Sequence, residues 1–83
     1  MTAEDRLVSA GYEGTVIFEN PSYDDALIGV SEDGRAIYDF EKMVECLHRE
    51  TEMELDEAIE FIEYNTIRAL PYHDNAPIVM YSV

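Results

Sequence analysis

Basic side chains are scarce in this chain: 5 Lys and Arg stand against 19 Asp and Glu, a formal charge of −14 on 83 residues. Binding to DNA or RNA begins with cations that neutralise phosphates, so this scarcity excludes direct nucleic-acid binding and docking on an anionic membrane face. The partner this charge calls for is a protein with a basic surface. Cysteine is nearly absent too. Cys46 is the only one, which excludes an internal disulfide and suits a reducing compartment. No apolar run approaches the roughly 20 residues that span a bilayer. Residues Met1–Arg6 carry acids where a signal peptide would carry positive charge, so no export signal is expected and the cytoplasm is the expected location. The 4 glycines, at positions 11, 14, 29 and 34, are scattered singly, and no glycine-rich phosphate cradle can be built from them. There is no internal repeat and no low-complexity segment.

A chain of this length can bury somewhat more than about 60% of its unfolded surface, enough for one domain over residues 1–83 with little margin. Thr2 can cap a short helix over Ala3 to Ala10, with Gly11 where a left-handed residue ends it. Thr15 to Glu19 is β-branched and aromatic and reads as a strand, followed by the turn-forming run Asn20 to Asp25. Ala26 to Val30 and Arg35 to Tyr38 flank Ser31-Glu32-Asp33-Gly34, a hairpin connection whose glycine can take a positive φ. Asp39 offers an N-cap before Phe40, Met43, Val44 and Leu47, which share one helical face. Thr51 with Glu54 three residues on has the form of a capping box. It precedes a second stripe of Leu55, Ala58, Ile59, Ile62, Thr66 and Ala69. Pro71 ends that helix, and Ile78 to Tyr81 reads as a last strand. The expected fold is α+β: a small, mainly antiparallel sheet of three to four strands. Two helices from the C-terminal half pack on one face, with a short N-terminal helix beside them.

The stretch Phe61 to Tyr72, together with Ala26-Leu27-Ile28-Gly29-Val30 and Asp33-Gly34-Arg35, resembles a family of short uncharacterised proteins of bacteria and their phages. The resemblance covers most of the chain after Gly14. It implies a free-standing small protein in a bacterial or phage setting, and it carries over no activity and no site.

Charge placement on the second helix gives the candidate site. At roughly 100° per residue, Glu52, Asp56, Glu60 and Glu63 project within about a quarter of a continuous helix's circumference, beside the apolar stripe. The 6 carboxylates from Glu52 to Glu63 would lie along about 18 Å of such a helix. That is near one charge per 3 Å, comparable with the roughly 3.4 Å spacing along one DNA strand. Such a face is either a solvated surface that keeps a small protein soluble, or a cation-seeking surface that imitates a phosphate backbone. Phe61, Tyr64 and Arg68 follow i, i+3, i+7 and form another stripe outside the main apolar arc. Those rings are either covered by the sheet and the N-terminal helix, as a small core demands, or exposed as aromatic anchors among carboxylates. Glu45 and Arg49, at i and i+4, are spaced for a weak ion pair.

Other chemistry is poorly supported by spacing. Cys46 and His48 are two apart on a helix and point to different sides, so they cannot share a zinc ion or form a nucleophile and base. His73 and Asp74 fit turn chemistry after Pro71 better than acid–base work. Glu19, Asn20, Asp24 and Asp25 lack the spacing and glycine of a calcium loop. No catalytic residue, metal site or cofactor is expected. The expected function is a non-enzymatic protein-binding module, a monomer or small homo-oligomer. Its acidic face, with Glu52, Asp56, Glu60, Glu63 and Tyr64 as contact residues, occupies a partner's basic surface in the manner of a nucleic-acid mimic or inhibitor. The alternatives are an accessory subunit that binds through apolar strand or helix contacts, with Ile78 to Val83 as its edge, and a small metal protein or enzyme.

Overall fold

A computed structural model describes residues 2–19 and 21–83 and shows a small α+β domain with three α-helices and a three-stranded sheet. Helix α1 spans Ala3–Ser9. Thr2 closes its first turn as a capping box: the Thr2 hydroxyl accepts from the Asp5 amide at 3.1 Å, and the Asp5 carboxylate accepts from the Thr2 amide at 3.4 Å. Gly11, with φ 92°, takes the left-handed position just past the end. Ala3 and Leu7, four residues apart, are the buried face of α1.

The segment expected as the first strand, Thr15 to Glu19, has no regular secondary structure and joins no sheet. It is attached through Phe18 and not through a strand ladder. The Phe18 ring lies 4.6 Å from that of Tyr38 and 5.7 Å, edge-on, from that of Tyr23, while the Phe18 amide donates to the Tyr38 hydroxyl at 3.4 Å. Strand propensity describes side chains suited to a half-buried surface, and here that surface is met without a partner strand. The turn run leads through Tyr23, buried and left-handed at φ 50°, into a single 3-10 turn, Asp24–Ala26.

Strands β1 (Leu27–Val30) and β2 (Ala36–Asp39) form the expected hairpin, antiparallel with Val30 opposite Ala36 and Leu27 opposite Tyr38. Gly34, at φ 83°, supplies the positive φ of the connection. Strand β3 (Ile78–Met80) pairs on the other side of β2, parallel to it, so the order is β1-β2-β3 and the sheet is mixed. Parallel pairing follows from the route: the chain leaves β2 and crosses through all its later helical turns before returning.

Asp39 ends β2 and also caps α2 (Phe40–Thr51). One carboxylate oxygen accepts from the Lys42 amide at 3.1 Å and the other from the Ser82 hydroxyl at 3.2 Å. Met43, Val44, Cys46 and Leu47 of α2 are buried, while Phe40 stacks 4.8 Å from Tyr81. The Thr51 capping box does not form. Thr51 is the last residue of α2, its hydroxyl donating back to the Leu47 carbonyl at 2.6 Å, and Glu52 ends the helix in the left-handed region at φ 60°. Helix α3 therefore starts later, at Leu55–Phe61, with Glu54 at its N-cap making no side-chain cap bond.

The second helix is also not continuous to Ala69. After α3 comes a π-helical turn, Ile62–Thr66, and then a 3-10 segment, Ile67–Tyr72, that contains Pro71. The Asn65 side-chain amide donates to the Phe61 carbonyl at 3.1 Å. That carbonyl would serve the Asn65 backbone amide in an α-helix, so the side chain competes with the ladder where it widens. Of the predicted stripe, Ala58 and Ile62 are fully buried, Ile59, Thr66 and Ala69 are half-buried, and Leu55 is exposed.

Asp39→Ala should lower the unfolding free energy by about 1–2 kcal/mol, and Asp39→Asn, which keeps an acceptor for the cap, should recover most of that loss. Urea unfolding of the two variants beside the parent measures both effects.

Candidate functional site

The arginines show why the negative charge stays uncompensated. Arg6 donates to the Asp24 carbonyl at 3.2 Å and Arg35 to the Ala76 carbonyl at 2.8 Å. The Arg68 guanidinium lies 5.4 Å from the centre of the Tyr64 ring. Arg49 makes the only ion pair among the described residues, 2.9 Å from Asp25 with both side chains largely exposed. The expected Glu45–Arg49 pair is therefore replaced: the turn Asp24–Ala26 packs on α2 and brings Asp25 within reach of Arg49. An exposed pair of this kind contributes at most about 1 kcal/mol. Two arginines thus hold backbone carbonyls and a third stacks on a ring, so the acidic excess has little inside the molecule to meet.

Asp56, Glu57, Glu60, Glu63 and Tyr64 are all exposed on α3 and the π-helical turn, and no ion pair among the described residues reaches them. Glu57 and Glu60 border a shallow surface groove with Met53, Phe61, Tyr64 and Asn65. Glu52 does not share this helix; it is the left-handed residue that ends α2. The acids accordingly form a patch at a corner and along about 10 Å of α3, not a straight row over the whole segment. This removes the spacing match to a single nucleic-acid strand, because that match assumed one unbroken helix. Glu57 was missed by the stripe reading, although Glu57, Glu60, Phe61 and Tyr64 stand at i, i+3, i+4 and i+7, the spacing that puts side chains on one face.

The second aromatic stripe splits. Phe61 is half-buried against the core, whereas Tyr64 is 60% exposed and carries Arg68 over its face. A cation stacked this way at an exposed site contributes about 0.5–1 kcal/mol. Asp56 and Glu57 also sit in the first turn of α3, where the helix dipole favours negative charge. That local benefit explains the position of two acids, but not Glu60 or Glu63.

The remaining polar candidates have structural partners or lie apart. Cys46 is buried, and burial pushes its thiol up from the usual value against a smaller opposing effect of the Arg49 charge. His48 is exposed, with its Nδ1 against the Met53 carbonyl, so it and Cys46 do point apart. Asp24 accepts from the Ala3 amide at 2.8 Å and the Ser22 hydroxyl at 3.1 Å. Asn20 lies outside the described residues, and His73 and Asp74 are exposed in a turn. Burial likewise raises the Tyr23 and Tyr38 hydroxyls above their usual range, opposed by hydrogen bonds to Thr66 and to the Phe18 backbone respectively. Among the described residues no group of three or more His, Cys, Asp or Glu is placed to hold a metal ion, and no helix is long and apolar enough to cross a membrane.

Unpaired like charges on so small a body repel one another, and salt screens that repulsion. Thermal unfolding followed by circular dichroism should move upward with added sodium chloride. The expected gain is about 1 kcal/mol, on the order of 5 °C for a domain of this size. Asp56→Asn with Glu60→Gln should raise the low-salt midpoint and flatten its salt dependence. No protein-family model matches this chain, and neither a curated protein nor a solved structure matches it.

Proposed function

We propose that this protein is a non-enzymatic binding module whose acidic face, centred on Asp56, Glu57, Glu60 and Glu63, occupies a basic surface of a partner protein. The observation that carries the reading is the exposure of these four carboxylates with no ion pair reaching them among the described residues. Such a surface attracts a cationic partner over distances of about 10 Å at moderate salt and steers the encounter. Tyr64, exposed beside Glu60, supplies an aromatic contact within the same patch. A basic surface of this kind is also what binds nucleic acid, so occupying it would block nucleic acid by charge competition. The patch form favours covering part of such a surface over copying a phosphate strand.

A second reading rests on β3. It is an edge strand of three residues, followed by exposed Tyr81 and Val83, and an edge offers backbone groups for strand addition. An accessory subunit would use this edge through apolar and main-chain contacts, with little sensitivity to salt.

The two readings separate in an affinity pull-down from native-host extract washed at low and high ionic strength. The charge reading predicts a partner that is lost at high salt and is not captured by a variant carrying Asp56→Asn, Glu57→Gln, Glu60→Gln and Glu63→Gln. A complex that survives both, but is lost with Met80→Lys on the edge strand, would replace it with the strand-addition reading.

A further inference from the structure

A second cleft, of about 320 Å³, opens between the segment after Thr15 and the last helical turns. Its volume is at the lower end of the range for small-molecule sites, about 300–1,000 Å³. Val16, Phe18, Phe61, Ala69, Leu70 and Pro77 make it largely apolar. Two irregular stretches of backbone converge there. Tyr23, buried and left-handed at φ 50°, forms part of the wall, and the π-helical turn brings Asn65 and Thr66 to the opening. Left-handed non-glycine residues and π-helical turns both concentrate at binding sites, because each re-aims side chains at a local conformational cost.

The polar side chains that line the cleft are Glu19, Tyr23, Asn65, Thr66 and His73, and Glu19 is the one carboxylate among them. Glu19 and His73 are both exposed at the cleft, and no Lys or Arg lines it among the described residues. The Asn65 amide nitrogen donates to the Phe61 carbonyl, and its side-chain oxygen accepts no hydrogen bond among the described residues. Thr66 and Tyr23 share a hydrogen bond of 3.4 Å between their hydroxyls. An apolar chamber with a carboxylate and a carbonyl at its polar groups complements a ring that carries a positively charged nitrogen. The formal charge of −14 raises the local concentration of such cations and repels anions.

We propose that this cleft binds small aromatic amines in their protonated form, the ring lying among Val16, Phe61 and Leu70 and the ammonium meeting Glu19 and the Asn65 carbonyl. The cleft adjoins the groove on the acidic face, with which it shares Phe61 and Asn65, but none of Asp56, Glu57, Glu60 and Glu63 lines it.

The test uses three matched probes, phenethylamine, phenethyl alcohol and phenylacetate, titrated into ¹⁵N-labelled full-length protein. Phenethylamine should shift the amides of Val16 to Phe18 and Asn65 to Leu70 saturably, with a dissociation constant on the order of 1 mM. The alcohol should bind about fivefold more weakly, and the carboxylate should not bind. Glu19→Gln, at an exposed position, should weaken phenethylamine by a similar factor and leave the alcohol unchanged. Ala69→Phe should fill the cleft and abolish both. The variant neutralised at Asp56, Glu57, Glu60 and Glu63 should still bind phenethylamine at the cleft, whatever becomes of the protein partner. Equal binding of phenylacetate, shifts confined to α3, or binding unaffected by both Glu19→Gln and Ala69→Phe would overturn the assignment.

Discussion

The carboxylate of Asp39 joins three parts of the molecule that are far apart in sequence. It is the last residue of the central strand β2, it receives the first turn of α2 through the Lys42 amide, and it receives the C-terminal segment through the Ser82 hydroxyl. It is also the one charged residue buried among those described, and both its oxygens are hydrogen-bonded. A buried carboxylate tolerates that position only when so satisfied. With the strand, the helix start and the C-terminal segment fixed at one point, α2 lies against the sheet, and α3 and the turn after it have a surface to pack on through Ala58 and Ile62. The outward face of α3 is then fixed as well.

This arrangement explains why the acids are free. The core is made of apolar side chains and a few satisfied polar groups. The arginines have been drawn to carbonyls, to one loop carboxylate and to the Tyr64 ring. Nothing in that network neutralises Asp56, Glu57, Glu60 or Glu63. The surface is therefore unbalanced by construction, and either solvent cations or a basic partner must balance it. The acidic face and the cleft lie on opposite consequences of one break in the helix. The regular turns up to Phe61 present Asp56, Glu57 and Glu60 to solvent, and the wider turn after it presents Glu63 to solvent and Asn65 and Thr66 to the apolar space beside Val16.

Local signals were legible in the residues wherever one residue type satisfies one geometric need. Thr2 marked the start of α1, Gly11 its end, Gly34 the hairpin connection, and Asp39 the start of α2. Signals that depend on a distant partner were not. Thr15 to Glu19 has strand composition, yet whether a neighbouring strand meets it depends on where β2 lies; the segment is held instead by Phe18 between two tyrosines. The parallel direction of β3 depends on the whole route between it and β2. Thr51 and Glu54 have the letters of a capping box, but the Thr51 hydroxyl can equally bond backward, and it does so to Leu47. Of the candidate site, Asp56, Glu60, Glu63 and Tyr64 are exposed together on one segment. Glu52 falls on the corner before it, and the cleft was invisible because its walls come from segments about fifty residues apart in the chain.

The claim that matters most is that α3 and the turn after it present a defined anionic surface, not one part of a uniformly charged skin. Titrating ¹⁵N-labelled protein with a short oligolysine, at low and at physiological salt, maps where positive charge settles. Amides from Leu55 to Tyr64 should shift first and most, and the effect should fade as salt rises. Equal shifts at the other exposed acids, such as Glu32 and Asp33 in the hairpin and Glu4 in α1, would contradict it.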